Sequence, residues 1–138
     1  MSPDRASAED LQAAARENAK IATEKADSKP EPMFASVTVG NRVTESRELA
    51  RYIQAGLVRG IGAQSPRTAM NRGVKHAPFV VLLGAAMPSV LAEVSFLSNP
   101  KDEALLQTSQ FRERVAASLF AGLNAYLKKC QKPEPKAR

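Results

Sequence analysis

Two apolar runs lie close together past the middle of the chain, and they restrict its fold more than any other feature. Phe79-Val80-Val81-Leu82-Leu83 is bounded by Pro78 and Gly84, and Val90-Leu91-Ala92-Glu93-Val94-Ser95-Phe96 by Pro88 and Asn99-Pro100. Both are continuous rather than alternating. That is the pattern of strands covered on both faces, as in α/β sheets. Only residues 84–89 join them, and a parallel crossover needs about a dozen residues. The two strands therefore pair antiparallel or lie apart in the sheet.

Helical spacing surrounds the runs. Residues 7–27 are dominated by Ala, Leu, Gln, Glu and Lys, with Ser7 or Asp10 as cap. Leu11 and Ile21 are the only large apolar residues there, so this helix buries little. Ser28-Lys29-Pro30-Glu31-Pro32 breaks it as a linker. Residues 33–39 read as a short strand or an irregular entry, and Gly40-Asn41 as a turn. A second helix covers residues 44–60, with Leu49, Ile53 and Leu57 on one face and Gly60 and Gly62 ending it. Residues 63–75 form a polar loop. A short helix over 101–109 and a long one over 110–129 follow. The long one carries a wide apolar stripe of Phe111, Val115, Ala116, Leu119, Phe120, Leu123 and Leu127. Residues 131–138 hold Pro133 and Pro135 and read as a disordered basic tail. This order of elements belongs to a layered α/β fold.

Composition narrows the function classes. Aromatic content is 5% with no Trp, so a core must be mostly aliphatic. The net charge of +6 falls entirely within residues 66–138, much of it in the tail after Lys128. A basic tail is a solvated end, or adds weak attraction to an anionic polymer. No basic helix face interleaves with aromatics, which argues against nucleic-acid binding. Cys130 is the only cysteine, so neither an internal disulfide nor a cysteine metal cluster is expected. No signal peptide is evident at the start, and the apolar stretch 77–94 is too interrupted by Pro78, Gly84, Pro88 and Glu93 for a transmembrane segment.

Glu93 breaks the second apolar run. Burying an unpaired carboxylate costs roughly several kcal/mol, so its presence calls for a reason. Either its side of the strand faces solvent or a basic partner, or it is a general base or metal-site carboxylate at the mouth of a sheet. Strand alternation puts Leu91, Glu93 and Ser95 on one face. His76 is the only histidine. It is a surface imidazole or at most one metal ligand, whereas catalytic zinc generally takes three protein ligands and a water. Neither HExxH, GxSxG nor a P-loop occurs.

The residues around these positions have a family likeness. Asn71-Arg72-Gly73-Val74-Lys75-His76-Ala77-Pro78-Phe79-Val80-Val81-Leu82, followed by Met87-Pro88-Ser89-Val90-Leu91-Ala92-Glu93-Val94-Ser95-Phe96-Leu97-Ser98-Asn99, closely resembles the C-terminal signature of the zinc-dependent N-acetylmuramoyl-L-alanine amidase family. Glu45-Ser46-Arg47-Glu48-Leu49-Ala50 resembles the helix before that signature, and Phe120-Ala121-Gly122-Leu123-Asn124-Ala125-Tyr126 the family's closing helix. Ala14-Ala15-Arg16-Glu17-Asn18-Ala19 is similar to a segment found just after the family's second zinc histidine.

The resemblance implies the C-terminal portion of a three-layer, mostly parallel-sheet amidase domain, incomplete in this chain. Residues 1–28 become an N-terminal helix and candidate regulatory insert, 29–36 a linker, 37–130 the C-terminal part of the catalytic domain, and 131–138 the tail. Glu93 matches the family's catalytic glutamate, which activates the water that attacks the amide between N-acetylmuramic acid and L-alanine. Arg72 and Lys75 match a basic loop and receive no role. The family's zinc ligands, two histidines and a glutamate, lie upstream of the matching segments. His76 falls where the family commonly has Gln. No metal ligand is therefore assigned here, and tight zinc binding by this chain is not expected. The resemblance further implies peptidoglycan as partner, an activator protein acting on the N-terminal helix, and a periplasmic or extracellular place for the full-length protein. Met1 then reads as the apparent start of a truncated or split reading frame. The alternative is a noncatalytic remnant that binds peptidoglycan or a protein.

Overall fold

Leu49, Ile53, Leu57 and Ile61 recur every fourth residue and form one buried stripe, which sets the arrangement of the chain. The structure is a computed structural model that describes residues 8–24, 38–62, 71–82 and 85–131. The stripe belongs to α2, Thr38–Ile61. Against it lies α4, Ser109–Cys130, which contributes Phe111 and Tyr126 to the core. Val115, Leu119 and Tyr52 pack around them. Burying one such side chain contributes roughly 1.5–3 kcal/mol. The other helices are α1, Ala8–Glu24, and α3, Pro100–Gln107, with a 3-10 turn at Val80–Leu82.

Small residues let α2 and α4 approach closely. Gly56 on α2 and Ser118 and Gly122 on α4 are buried at the crossing. A Cβ on Gly56 would stand 2.5 Å from the Ser118 carbonyl oxygen, and one on Gly122 would stand 2.7 Å from that of Tyr52. Tyr52 and Tyr126 meet edge to face, 6.0 Å between ring centroids. Lys129 and Glu48 close one end of the pair at 2.6 Å.

The corner between α3 and α4 is set by local polar groups. Asn99 caps α3 by accepting from the Lys101 and Asp102 N–H groups, and Pro100 takes the first helical position, where no donor is needed. Thr108 serves two helices. Its hydroxyl donates to the Leu105 carbonyl at 2.7 Å and accepts from the Phe111 N–H at 3.3 Å. Arg112 donates to the Leu106 and Gln107 carbonyls, both at 2.8 Å, satisfying the end of α3.

Several expectations need adjusting. The α2 helix begins at Thr38, so Gly40-Asn41 is helical rather than a turn. Its first turns are tied to the following loop. Arg42 donates to the Ala85 carbonyl at 3.2 Å, and Ser46 Oγ accepts from the Ser89 N–H at 3.0 Å. Such contacts outweigh a Gly penalty of about 1 kcal/mol. The wide stripe of α4 is divided: Phe111 is buried, whereas Phe120, Leu123 and Leu127 are exposed. The linker 29–36 and the tail from 132 onward lie outside the described residues, as do 25–27 of the first helix and 33–37 of the entry segment.

No strand occurs among the described residues. A strand is defined by its ladder partner, and neither apolar run has one there. The first run instead curls into the 3-10 turn, with the Leu82 N–H donating to the Phe79 carbonyl at 3.0 Å. Asn18 of α1 holds it like a piece of neighbouring strand. Its side-chain amide donates to the Pro78 carbonyl at 2.9 Å and accepts from the Val80 N–H at 2.8 Å. Lys75 and Asp10 reinforce this attachment at 3.1 Å. Through it α1 rests on the turn and on the segment before it.

Candidate functional site

Glu93 lies midway along an extended, irregular segment that is fixed at both ends. The Ser89 N–H is held by Ser46 Oγ at 3.0 Å, and the Phe96 N–H donates to Asp102 Oδ2 at 3.2 Å. Between these anchors, residues 90–95 make no backbone–backbone hydrogen bond among the described residues. Val90 and Val94 pack against the α2–α4 core. Leu91, Ala92 and Glu93 are exposed. Of the two arrangements the sequence leaves open for Glu93, the structure has the solvent-facing one. The face shared by Leu91 and Glu93 is the outward one.

Asp102 anchors the C-terminal end of this segment. It is 1% exposed and occupies the third position of α3, where a negative charge suits the helix dipole. Sequence reasoning missed it, although Asn99-Pro100-Lys101-Asp102 carries a recognisable helix-start signal. Phe96 is thereby positioned at a surface depression lined by Arg72, Phe96, Ser98, Asn99 and Pro100. The Arg72 guanidinium stands over the Phe96 ring, 5.1 Å from its centroid.

Arg72 is presented by a turn. Asn71 Oδ1 accepts from the Gly73 N–H at 2.9 Å, an Asx-type turn. Gly73 has φ +71°, the left-handed region that favours glycine. Asn71 also accepts from Gln54 Nε2, tying the turn to α2. The loop thus brings together Arg72 and Phe96 from separate parts of the signature, while Lys75 is directed to Asp10 instead. His76 is half-buried within the same loop.

Among the described residues no donor set for a catalytic zinc is brought together. The described residues contain no group of three His, Cys, Asp or Glu side chains placed to hold a metal. The one cysteine, Cys130, is exposed at the end of α4. His76 and Glu93 fall short of the three protein ligands such a site takes.

Two shifted groups lie on the helix pair rather than near Glu93. The Tyr126 phenol is pushed up to about 12 by burial and by its hydrogen bond with Cys130. The Lys129 ammonium is raised by its hydrogen bond to Glu48. No described helix is long and apolar enough to cross a membrane.

Comparison with known proteins gives a consistent answer. The family described as N-acetylmuramoyl-L-alanine amidase matches residues 10–125. The N-acetylmuramoyl-L-alanine amidase AmiA of Escherichia coli K12 is 43% identical over 56 residues, covering 41% of this chain and 19% of the relative. AmiC of Neisseria meningitidis serogroup B is 44% identical over 54 residues, 39% of this chain and 13% of the relative. LytC of Bacillus subtilis 168 is 32% identical over 85 residues, 62% of this chain and 16% of the relative. The chain thus aligns with about a fifth or less of the length of these three relatives. No solved structure matches significantly. With the profile covering all but the ends of the sequence, the chain belongs to the N-acetylmuramoyl-L-alanine amidase family.

Proposed function

We propose that this chain supplies the C-terminal part of a peptidoglycan hydrolase that cleaves the amide between N-acetylmuramic acid and the L-alanine of the stem peptide. The family match over residues 10–125 carries this reading. Glu93 is the general base. Its exposed carboxylate takes a proton from the attacking water and delivers it to the departing alanine amine. A positioned base of this kind typically contributes about 10²–10⁴ in rate. The fixed ends of its segment, at Ser89 and Phe96, hold it while substrate binds. Zinc belongs to the family's chemistry, but the described residues do not form its site, and no step is assigned to it here.

In the proposed domain, residues 90–96 take their place in a layered α/β sheet, paired with strands from outside the described residues. Their unladdered backbone and the exposed Leu91 and Phe96 support this arrangement. The α1 helix is proposed as the element on which an activator protein acts, supported by its attachment through Asn18 and Asp10 to the 3-10 turn and the loop before it. A periplasmic or extracellular place of work follows from the substrate.

The test is a chimera in which residues 10–125 replace the matching region of Escherichia coli AmiA. Released stem peptides with a free L-alanine amine are measured by mass spectrometry. Release is expected, with a fall of about 10²–10⁴ on Glu93→Gln. Equal release by that variant, with the fold intact, removes Glu93 as the base. Wall binding without any release favours a noncatalytic module.

A further inference from the structure

We propose that Arg72, with Phe96 and Ser98, forms a binding subsite for a carboxylate of the acidic stem peptide. This rests on the amidase reading above and adds to it a residue that reads the substrate's charge. A surface arginine is ordinarily a mobile, solvated side chain. Arg72 is held at both ends. Its backbone sits between Asn71 and Gly73, in a turn closed by the Asn71 side chain and tied to Gln54 of α2. Its guanidinium rests on Phe96, whose N–H is fixed by the buried Asp102.

A cation held over a ring forms no hydrogen bond with it, so the guanidinium N–H donors remain for a planar bidentate acceptor. No ion pair of Arg72 occurs among the described residues. By contrast, Lys75 is paired with Asp10 and Lys129 with Glu48. The depression beside the ring adds Ser98, a hydroxyl that can donate to the second oxygen of the same carboxylate. The α3 N-terminus contributes nothing, since Asn99 already accepts its first N–H groups and Pro100 has none. Binding therefore depends on the arginine. Glu93 stands three residues before Phe96 in the same anchored segment. A peptide carboxylate held at Arg72 would thus fix the stem peptide relative to the proposed base.

The experiment uses the 138-residue chain, labelled with ¹⁵N. It is titrated with N-acetylmuramoyl-L-alanyl-D-glutamic acid and with the same compound carrying both glutamyl carboxyls as amides. The wild type is expected to bind the diacid about tenfold or more tighter than the diamide, as charge-assisted hydrogen bonds allow, with shifts at Phe96 and Ser98. Arg72→Gln should erase the preference. Arg72→Lys, which keeps charge but loses the planar fork, should retain only a small part of it. Far-UV circular dichroism of all three checks that the fold is unchanged. A preference that survives Arg72→Gln overturns the proposal. So does a wild type that binds both compounds equally, which leaves the amidase reading standing. Failure to bind either compound, combined with a chimera that still cleaves the wall, also overturns the subsite alone. Failure of both overturns the two together.

Discussion

Replacing Gly122 by Ala tests the contact that holds the helices together. In an isolated helix this change is favourable by about 1 kcal/mol, because alanine is the better helix former. Here the added Cβ would lie 2.7 Å from the Tyr52 carbonyl oxygen, 2.8 Å from the Ile53 Cα and 3.1 Å from the Ile53 nitrogen. All three are backbone atoms of α2, so no side chain can swing away. Relief requires α2 and α4 to separate by several tenths of an ångström. That separation loosens Leu49, Ile53, Leu57, Phe111 and Tyr126 at once. Overpacking of this kind costs typically about 1–3 kcal/mol, and backbone obstruction places it in the upper part of that range. The net destabilisation is about 1–2 kcal/mol once the propensity gain is subtracted. With m near 1–3 kcal/mol/M in urea, the midpoint should fall by about 0.5–1 M. The assay is urea denaturation followed by circular dichroism at the helix band. Ala121→Gly is the control, since Ala121 is exposed on the same helix and should lose only about 1 kcal/mol of propensity. A Gly122→Ala protein as stable as the parent, or more stable, would refute the close approach and the register of the two helices with it.

Two further outcomes follow from buried groups on the same framework. Asp102→Ala removes the acceptor for the Phe96 N–H and should cost about 1–3 kcal/mol; Asp102→Asn, which retains a carbonyl acceptor, should cost less, and equal loss in urea denaturation would show that the hydrogen bond is not what matters. Tyr126 is raised from 10.0 to about 12 in the folded chain, so the unfolded chain loses its proton first as pH rises. The stability this phenol contributes is complete below about pH 10 and is lost as pH rises through about 12, and a Tyr126→Phe protein whose denaturation midpoint falls just as steeply over that range would contradict it.

What the sequence reveals here depends on whether a feature is local. The 3.6-residue spacing of Leu49, Ile53 and Leu57 predicts the buried face of α2, because a helix makes its hydrogen bonds within itself. Asn99-Pro100 likewise marks the start of α3 with its cap. The Gly40-Asn41 pair misleads for the converse reason. Its turn preference is local, but Arg42 and Ser46 are tied to residues more than forty positions away. The crossing at Gly56, Ser118 and Gly122 is also hidden. Each residue looks like a weak point in its own helix, and only the facing backbone explains the lack of a side chain.

The candidate site divides along the same line. Glu93 is legible because a carboxylate interrupts an apolar run, and Asn71-Arg72-Gly73 because an Asn two places before a Gly suits a turn. That Arg72 should stand over Phe96 is not legible, since it depends on Gln54 and Asp102 holding the two partners from different helices. The continuous apolar pattern of residues 90–96 calls for cover on both faces. The helices provide one, through Val90 and Val94. Leu91 and Phe96, together with Phe120, Leu123 and Leu127 on α4, remain exposed. Apolar groups of this size are worth burying at about 25 cal/mol for each Å². A sequence written for two covered faces and a fold that covers one are reconciled if the second cover comes from outside the described residues. That is the physical support for the larger amidase domain proposed above, in which Glu93 lies on the side that the other part would approach.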